Sequence, residues 1–96
     1  MIEITRFRLK HDHDVDEFVD VNARYQTQFA YQQRGLHRRT VALGLLGEWV
    51  SISLWQSKKD VHRAEAEADR SALAAEFEQF LEPSSKRTEY FQELSG

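Results

Sequence analysis

From Ile2 to Lys10 the chain is rich in β-branched and aromatic residues and has no breaker, which predicts a strand. One face carries Ile2, Ile4, Arg6 and Arg8, and the other carries Glu3, Thr5, Phe7 and Leu9. Apolar side chains on both faces predict a central strand covered on both sides. The spacing then changes. Val15, Phe18, Val19, Asn22, Tyr25, Gln26 and Phe29 recur at helical intervals, with Asp14 as N-cap and Glu17 as its capping-box partner. This helix is expected to run to about Gln33 and to stop at Arg34-Gly35.

Leu36 to Leu43 reads as a second strand, and Gly44-Leu45-Leu46-Gly47 as a tight hairpin connection. Glu48 to Gln56 alternates cleanly, with Val50, Ile52 and Leu54 on one face and Trp49, Ser51, Ser53 and Trp55 on the other. Ser57 caps a second helix with Asp60 at its third position, and Ala and Glu favour helix through Asp69. Asp69-Arg70-Ser71 breaks or bends it. A further helical stretch carries Leu73, Phe77, Phe80 and Leu81 on one face, and Pro83 stands past its end. Arg87 to Leu94 is expected to form the last strand.

The order strand, helix, strand, strand, helix, strand is the ferredoxin-like βαββαβ arrangement. It predicts an α+β fold with a four-stranded antiparallel sheet and both helices on one face. The other face, with Ile2, Ile4, Val50, Ile52 and Leu54, would be bare and apolar. A monomer rarely exposes such a patch, so these residues are candidates for a homodimer interface.

At 96 residues the chain has room for one domain, expected to span 1–96. The formal net charge of −3 argues against a nucleic-acid partner. Arg34, His37, Arg38 and Arg39 form a local basic run, but strand alternation splits it between two faces. An anion-binding patch is the lesser reading of this run, and solvated or ion-paired charges are its expected role. There is no cysteine, so disulfides, thiolate metal sites and cysteine nucleophiles are excluded. No apolar run approaches membrane-spanning length, and Met1 to Lys10 lacks a signal-peptide pattern, so a cytoplasmic location is expected.

Asn22 and Gln26 stand in the apolar stripe of the first helix, and a buried amide needs a partner. Ser51 and Ser53, water or a ligand could supply it. With Tyr25, Phe29, Phe7 and Trp55 these residues could line an apolar pocket with a few polar groups. They could equally form a satisfied structural network. Trp49 suits the core and Trp55 the pocket. His62 could act as a base, but Val61 better fits the buried face, which leaves His62 at the surface. His11-Asp12-His13-Asp14 resembles a metal motif. An extended pair two residues apart rarely closes around one ion, and Asp14 is already a cap, so no metal is expected. No glycine-rich phosphate loop, GxSxG elbow or HExxH helix is present, so no cofactor is indicated.

Three segments carry a family resemblance: Tyr31-Gln32-Gln33-Arg34-Gly35-Leu36, Glu48-Trp49-Val50 and Trp55-Gln56-Ser57-Lys58-Lys59-Asp60. Through them the chain resembles the antibiotic biosynthesis monooxygenase-like members of the dimeric α/β-barrel superfamily. The resemblance implies two protomers with their sheets packed into a barrel and one ligand pocket per protomer. Some relatives oxidise aromatic polyketides without metal or flavin, and others degrade haem. Of the polyketide oxidisers' residues only Trp55 is retained. Ser51 replaces an asparagine, and Val61 and His62 stand where a tyrosine is found. For haem degradation, Phe7 stands where an asparagine is needed, and Glu65 where the histidine ligand would fall.

The resemblance therefore implies a cofactor-independent monooxygenase or small-molecule-binding protein for an aromatic or polyketide-like ligand. Trp55 would stack on that ligand. Asn22, Gln26, Ser51 and Ser53 would orient its oxygens and stabilise an enolate or peroxide. A non-catalytic binding or dimerisation module is the alternative.

Overall fold

The computed structural model describes residues 1–11 and 14–96. In chain order it has β1 (Ile2–Phe7), α1 (Val15–Gln28), a short 3₁₀ turn (Ala30–Gln32), β2 (Leu36–Leu43) and β3 (Trp49–Trp55). Then come α2 (Lys58–Ala68), α3 (Ala72–Glu78), a second 3₁₀ turn (Pro83–Ser85) and β4 (Arg87–Phe91). The four strands form one antiparallel sheet in the order β2-β3-β1-β4.

The hairpin sets the register of half the sheet. Gly44 N–H donates to Glu48 O at 2.7 Å, and Gly47 takes a positive φ of 83°. Leu43 then pairs with Trp49, Val41 with Ser51 and Arg39 with Ser53. On the other side of β3, Phe7 pairs with Trp49, Thr5 with Ser51 and Glu3 with Ser53. Directly opposed residues share a face. Phe7, Trp49, Ser53 and Trp55 therefore lie under the helices.

The core is two-ended. At one end Phe7, Phe18, Trp49, Phe77, Phe80 and Leu81 are buried together. Phe18 meets Trp49 edge-on at 4.9 Å and Phe77 at 5.6 Å. Each such ring contributes roughly 1.5–3 kcal/mol by leaving water. At the other end Trp55, Val61 and Ala64 pack with Met1 and Leu36. Alanine fills far less volume than phenylalanine, so this end is not filled to the same depth.

Several expectations are corrected. The first helix stops at Gln28, not Gln33, and the chain turns through Ala30–Gln32 before Gly35 at φ 88°. Val15 and Val19 are exposed, at 47% and 48%, whereas Val21 is buried. Contact with Phe77 of α3 turns the Phe18–Val21–Tyr25 edge inward and leaves the two valines on the flank. Asp14 does cap α1, but it accepts from Asp16 N–H, and no return bond from Glu17 forms among the described residues. The last strand ends at Phe91, short of Leu94, because Phe91 already pairs with Ile2 at the start of β1. Asp12 and His13 of the metal-like run lie outside the described residues.

Ile2, Ile4, Val50, Ile52 and Leu54 meet on the sheet face away from the helices, as Ile2–Leu54, Ile4–Ile52 and Arg6–Val50 pairs. All five are partly exposed. An Arg6–Glu89 ion pair at 3.0 Å borders them. Among the described residues no helix is long and apolar enough to cross a membrane.

Candidate functional site

Small residues open the space between sheet and helices. Ala64 and Ala68 of α2 and Ala74 and Ala75 of α3 face a cavity of about 660 Å³. A large side chain at any of them would take up part of it. The floor is polar, because the sheet contributes two transverse rows. One row runs Tyr90, Glu3, Ser53, Arg39, and the next runs Thr88, Thr5, Ser51, Val41. Thr5 and Thr88 share a hydroxyl hydrogen bond at 3.0 Å. Tyr25, Phe29, Phe77 and Trp55 supply aromatic wall.

Phe7, Tyr25, Phe29, Ser51, Ser53 and Trp55 all border this cavity, and Asn22, Gln26 and His62 do not. His62 is exposed, with Nδ1 3.8 Å from Glu65. The two amides are satisfied, but not by Ser51, Ser53 or a ligand. Arg39 Nη1 donates to Asn22 Oδ1 at 2.8 Å and to Gln26 Oε1 at 2.9 Å.

Arg39 is the residue that sequence reasoning missed. Expected among solvated or paired charges, it is only 8% exposed and forms no ion pair among the described residues. Its guanidinium lies 5.0 Å from the Tyr25 ring centre and 5.4 Å from that of Phe77, which are themselves stacked at 4.4 Å. Burial pulls its pKa down, with the field of Tyr25, Tyr31 and Glu3 opposing. It remains a cation at neutral pH. Burial likewise pushes the Tyr25 phenol up, against the field of Arg39. The signal for Arg39 was available: counting back from the hairpin places it opposite Ser53, on the pocket face.

Across β3, Glu3 accepts from Trp55 Nε1–H at 3.0 Å. Tyr90 Oη lies 3.0 Å from Glu65 Oε1 and 3.5 Å from Glu3 Oε2. Burial, then the Glu65 hydrogen bond, hold the Tyr90 phenol well above its usual range. Tyr90 is thus a donor at neutral pH and not a base. Trp49, by contrast, sits in the aromatic core away from this cavity.

This is the ferredoxin-like α+β fold, with a cavity between the sheet and its helices. Solved structures of the same fold include SnoaB, a cofactor-independent oxygenase from Streptomyces nogalater, with 22% identity over 99% of this chain and 93% of that one and a TM-score of 0.79. A protein from Nitrosomonas europaea, provisionally described as an antibiotic biosynthesis monooxygenase, is 14% identical over 98% of both chains, with a TM-score of 0.74. A dimeric ferredoxin-like protein from an uncultured marine organism is 9% identical over 99% of this chain and 90% of that one, with a TM-score of 0.70. No family model and no curated protein matches the sequence.

Proposed function

We propose that the chain, as a single domain over residues 1–96, binds an aromatic, polyketide-like molecule in this cavity and oxidises it without a cofactor. The observation that carries the reading is the cavity itself. At about 660 Å³ it lies in the ordinary range for ligand sites, with an aromatic wall over a hydroxyl floor. The likeness to SnoaB supports the oxygenase class at the level of fold. In the reaction proposed here, a ring methylene and dioxygen would give a ring carbonyl and water. The substrate supplies all the electrons, so no co-reductant is required. The chain would contribute stacking by Trp55 and Tyr25 and hydrogen bonds from Ser51 and Ser53.

The working unit would be a homodimer joined through Ile2, Ile4, Val50, Ile52 and Leu54. The dimeric neighbour of the same fold supports this assembly.

One observation favours a second reading, a binding module without catalysis. Among the described residues no histidine borders the cavity, and both its tyrosines, Tyr25 and Tyr90, hold their protons more tightly than usual. An anthrone assay decides between them. Oxygen uptake matched by quinone formation, and reduced in Trp55→Ala, is expected of the oxygenase. Tight binding without oxygen uptake would leave the binding module.

A further inference from the structure

We infer that the cavity selects an aromatic ligand bearing an anionic oxygen, a carboxylate or an enolate, and that Arg39 is its anchor. The inference rests on the reading that the cavity holds an aromatic ligand, and it adds the charge of that ligand.

An unpaired buried charge is strongly unfavourable, and proteins normally supply a carboxylate. Arg39 has none. Two neutral amide oxygens hold Nη1, and the guanidinium carbon lies 5.0 and 5.4 Å from the centres of the Tyr25 and Phe77 rings. A guanidinium has five N–H groups. Among the described residues Nη2 and Nε find no acceptor. No buried side-chain nitrogen or oxygen is left without a partner there, so these two edges border open space. Arg39 lines the cavity and its guanidinium lies beside Tyr25 and Phe77, two of the cavity's wall residues, so the cavity is the open space within its reach.

The amides also matter for what they exclude. Asn22 and Gln26 orient the fork without neutralising it. An aspartate in either place would have cancelled its charge.

Four carboxylates also border the cavity, and an anion must avoid them. Glu3 is engaged by Trp55, Glu65 by Tyr90 and Glu78 by Lys86 at 2.7 Å. Asp69 is exposed at the end of α2. Glu3 stands in the same transverse row as Arg39 with Ser53 between them, so the site is polarised along the floor. A planar ligand can place its anionic oxygen at Arg39 and a hydroxyl toward Glu3. Charge-assisted, two-point contact with a guanidinium favours the anion over its neutral isostere by about tenfold or more.

The test is isothermal titration of the whole protein with matched probes. Naphthoate is set against naphthamide. Hydroxynaphthoquinone, an enolate at neutral pH, is set against its methoxy ether. Wild-type protein is expected to prefer at least one anion by about tenfold, and which one tells carboxylate from enolate. Arg39→Met should abolish the preference. Should that variant fail to fold, Ser53→Asp places a carboxylate directly opposite Arg39 and should abolish the preference in a folded protein. Equal binding of anion and neutral probe by wild type, or a preference kept in both variants, overturns the role of Arg39 and leaves the cavity reading standing. No binding of any probe removes the cavity reading, and this inference with it.

Discussion

The Tyr31 hydroxyl satisfies both backbone polar groups of Arg39. It accepts from the Arg39 N–H at 2.9 Å and donates to the Arg39 carbonyl at 3.2 Å. β2 is an edge strand, and an edge strand leaves such groups unpaired. One side chain thus replaces a missing strand at the residue whose guanidinium lines the cavity. Tyr31→Phe should cost about 1 kcal/mol. For a domain of this size that lowers the melting temperature by about 4–8 °C. Amide exchange at Arg39 should quicken in the same variant. An unchanged exchange rate would show that water does the work of the hydroxyl.

Gly35 and Asp60 are fitted to each other. Gly35 has φ 88°, and the Asp60 side chain already fills the space that a Cβ there would need. Gly35→Ala should therefore cost about 2 kcal/mol or more, from strained backbone and collision together. Gly47 has a similar φ of 83°, but only the end of the Arg8 side chain approaches, at 3.4 Å. Gly47→Ala should cost clearly less. Urea denaturation of the two variants checks the order, and equal losses would mean that the collision contributes nothing.

Asp60 should make stability fall in acid. Hydrogen bonds from the Ser57 hydroxyl, then from Arg63, hold its carboxyl below the usual carboxylate range. A folded-state pKa below the unfolded one adds stability above the unfolded value of about 4. That contribution is lost as pH falls through the lower, folded value. Glu76, held down by Arg24, adds to the same limb. Asp60→Asn should flatten the decline between neutral pH and about pH 3. A profile parallel to wild type would assign the acid limb to other groups.

Ala64 borders the cavity and should accept a larger side chain. Ala64→Leu is expected to hold or raise the melting temperature while weakening naphthoate binding about tenfold or more, since filling a void commonly stabilises. A sharp fall in melting temperature would mean that Ala64 is packed against its neighbours without room.

Ile52 stands at the centre of the exposed apolar face, opposite Ile4 on one side and Thr40 on the other. If that face joins two protomers, Ile52→Glu should convert the sedimenting species from dimer to monomer. A monomeric wild type would instead leave the five residues as uncovered surface.

Much of the architecture was legible because it rests on local rules. The hairpin glycines, the Ser57 cap and the alternation of β3 each act over a few residues, and each appears where expected. The inner face of α1 was less legible. Whether Val19 or Val21 turns inward depends on Phe77, more than fifty residues away, and periodicity along one helix carries no such information. The site was half legible. Trp55, Ser51 and Ser53 follow from strand alternation, and the demand of Asn22 and Gln26 for a partner was visible. Their partner was not, because a run of four basic residues reads as surface, and only cross-strand register separates Arg39 from Arg38. The cavity itself was hidden in the alanines of α2, which read as helix formers before they read as missing volume.

The division of the core has a consequence for how this chain can change. Of its interlocked rings Phe7 and Phe77 border the cavity and Phe18, Trp49 and Phe80 do not, while the small residues of α2 and α3 line it as well. Substitutions at Ala64, Ala68 or Ala74 can reshape what the chamber admits while the Phe18–Trp49–Phe80 cluster, which does not border it, stays intact. Selectivity and foldedness thereby rest on sets of residues that overlap only in part, at Phe7, Phe77 and Leu81. One scaffold can acquire new guests by small steps, none of which has to pass through an unfolded intermediate in its history.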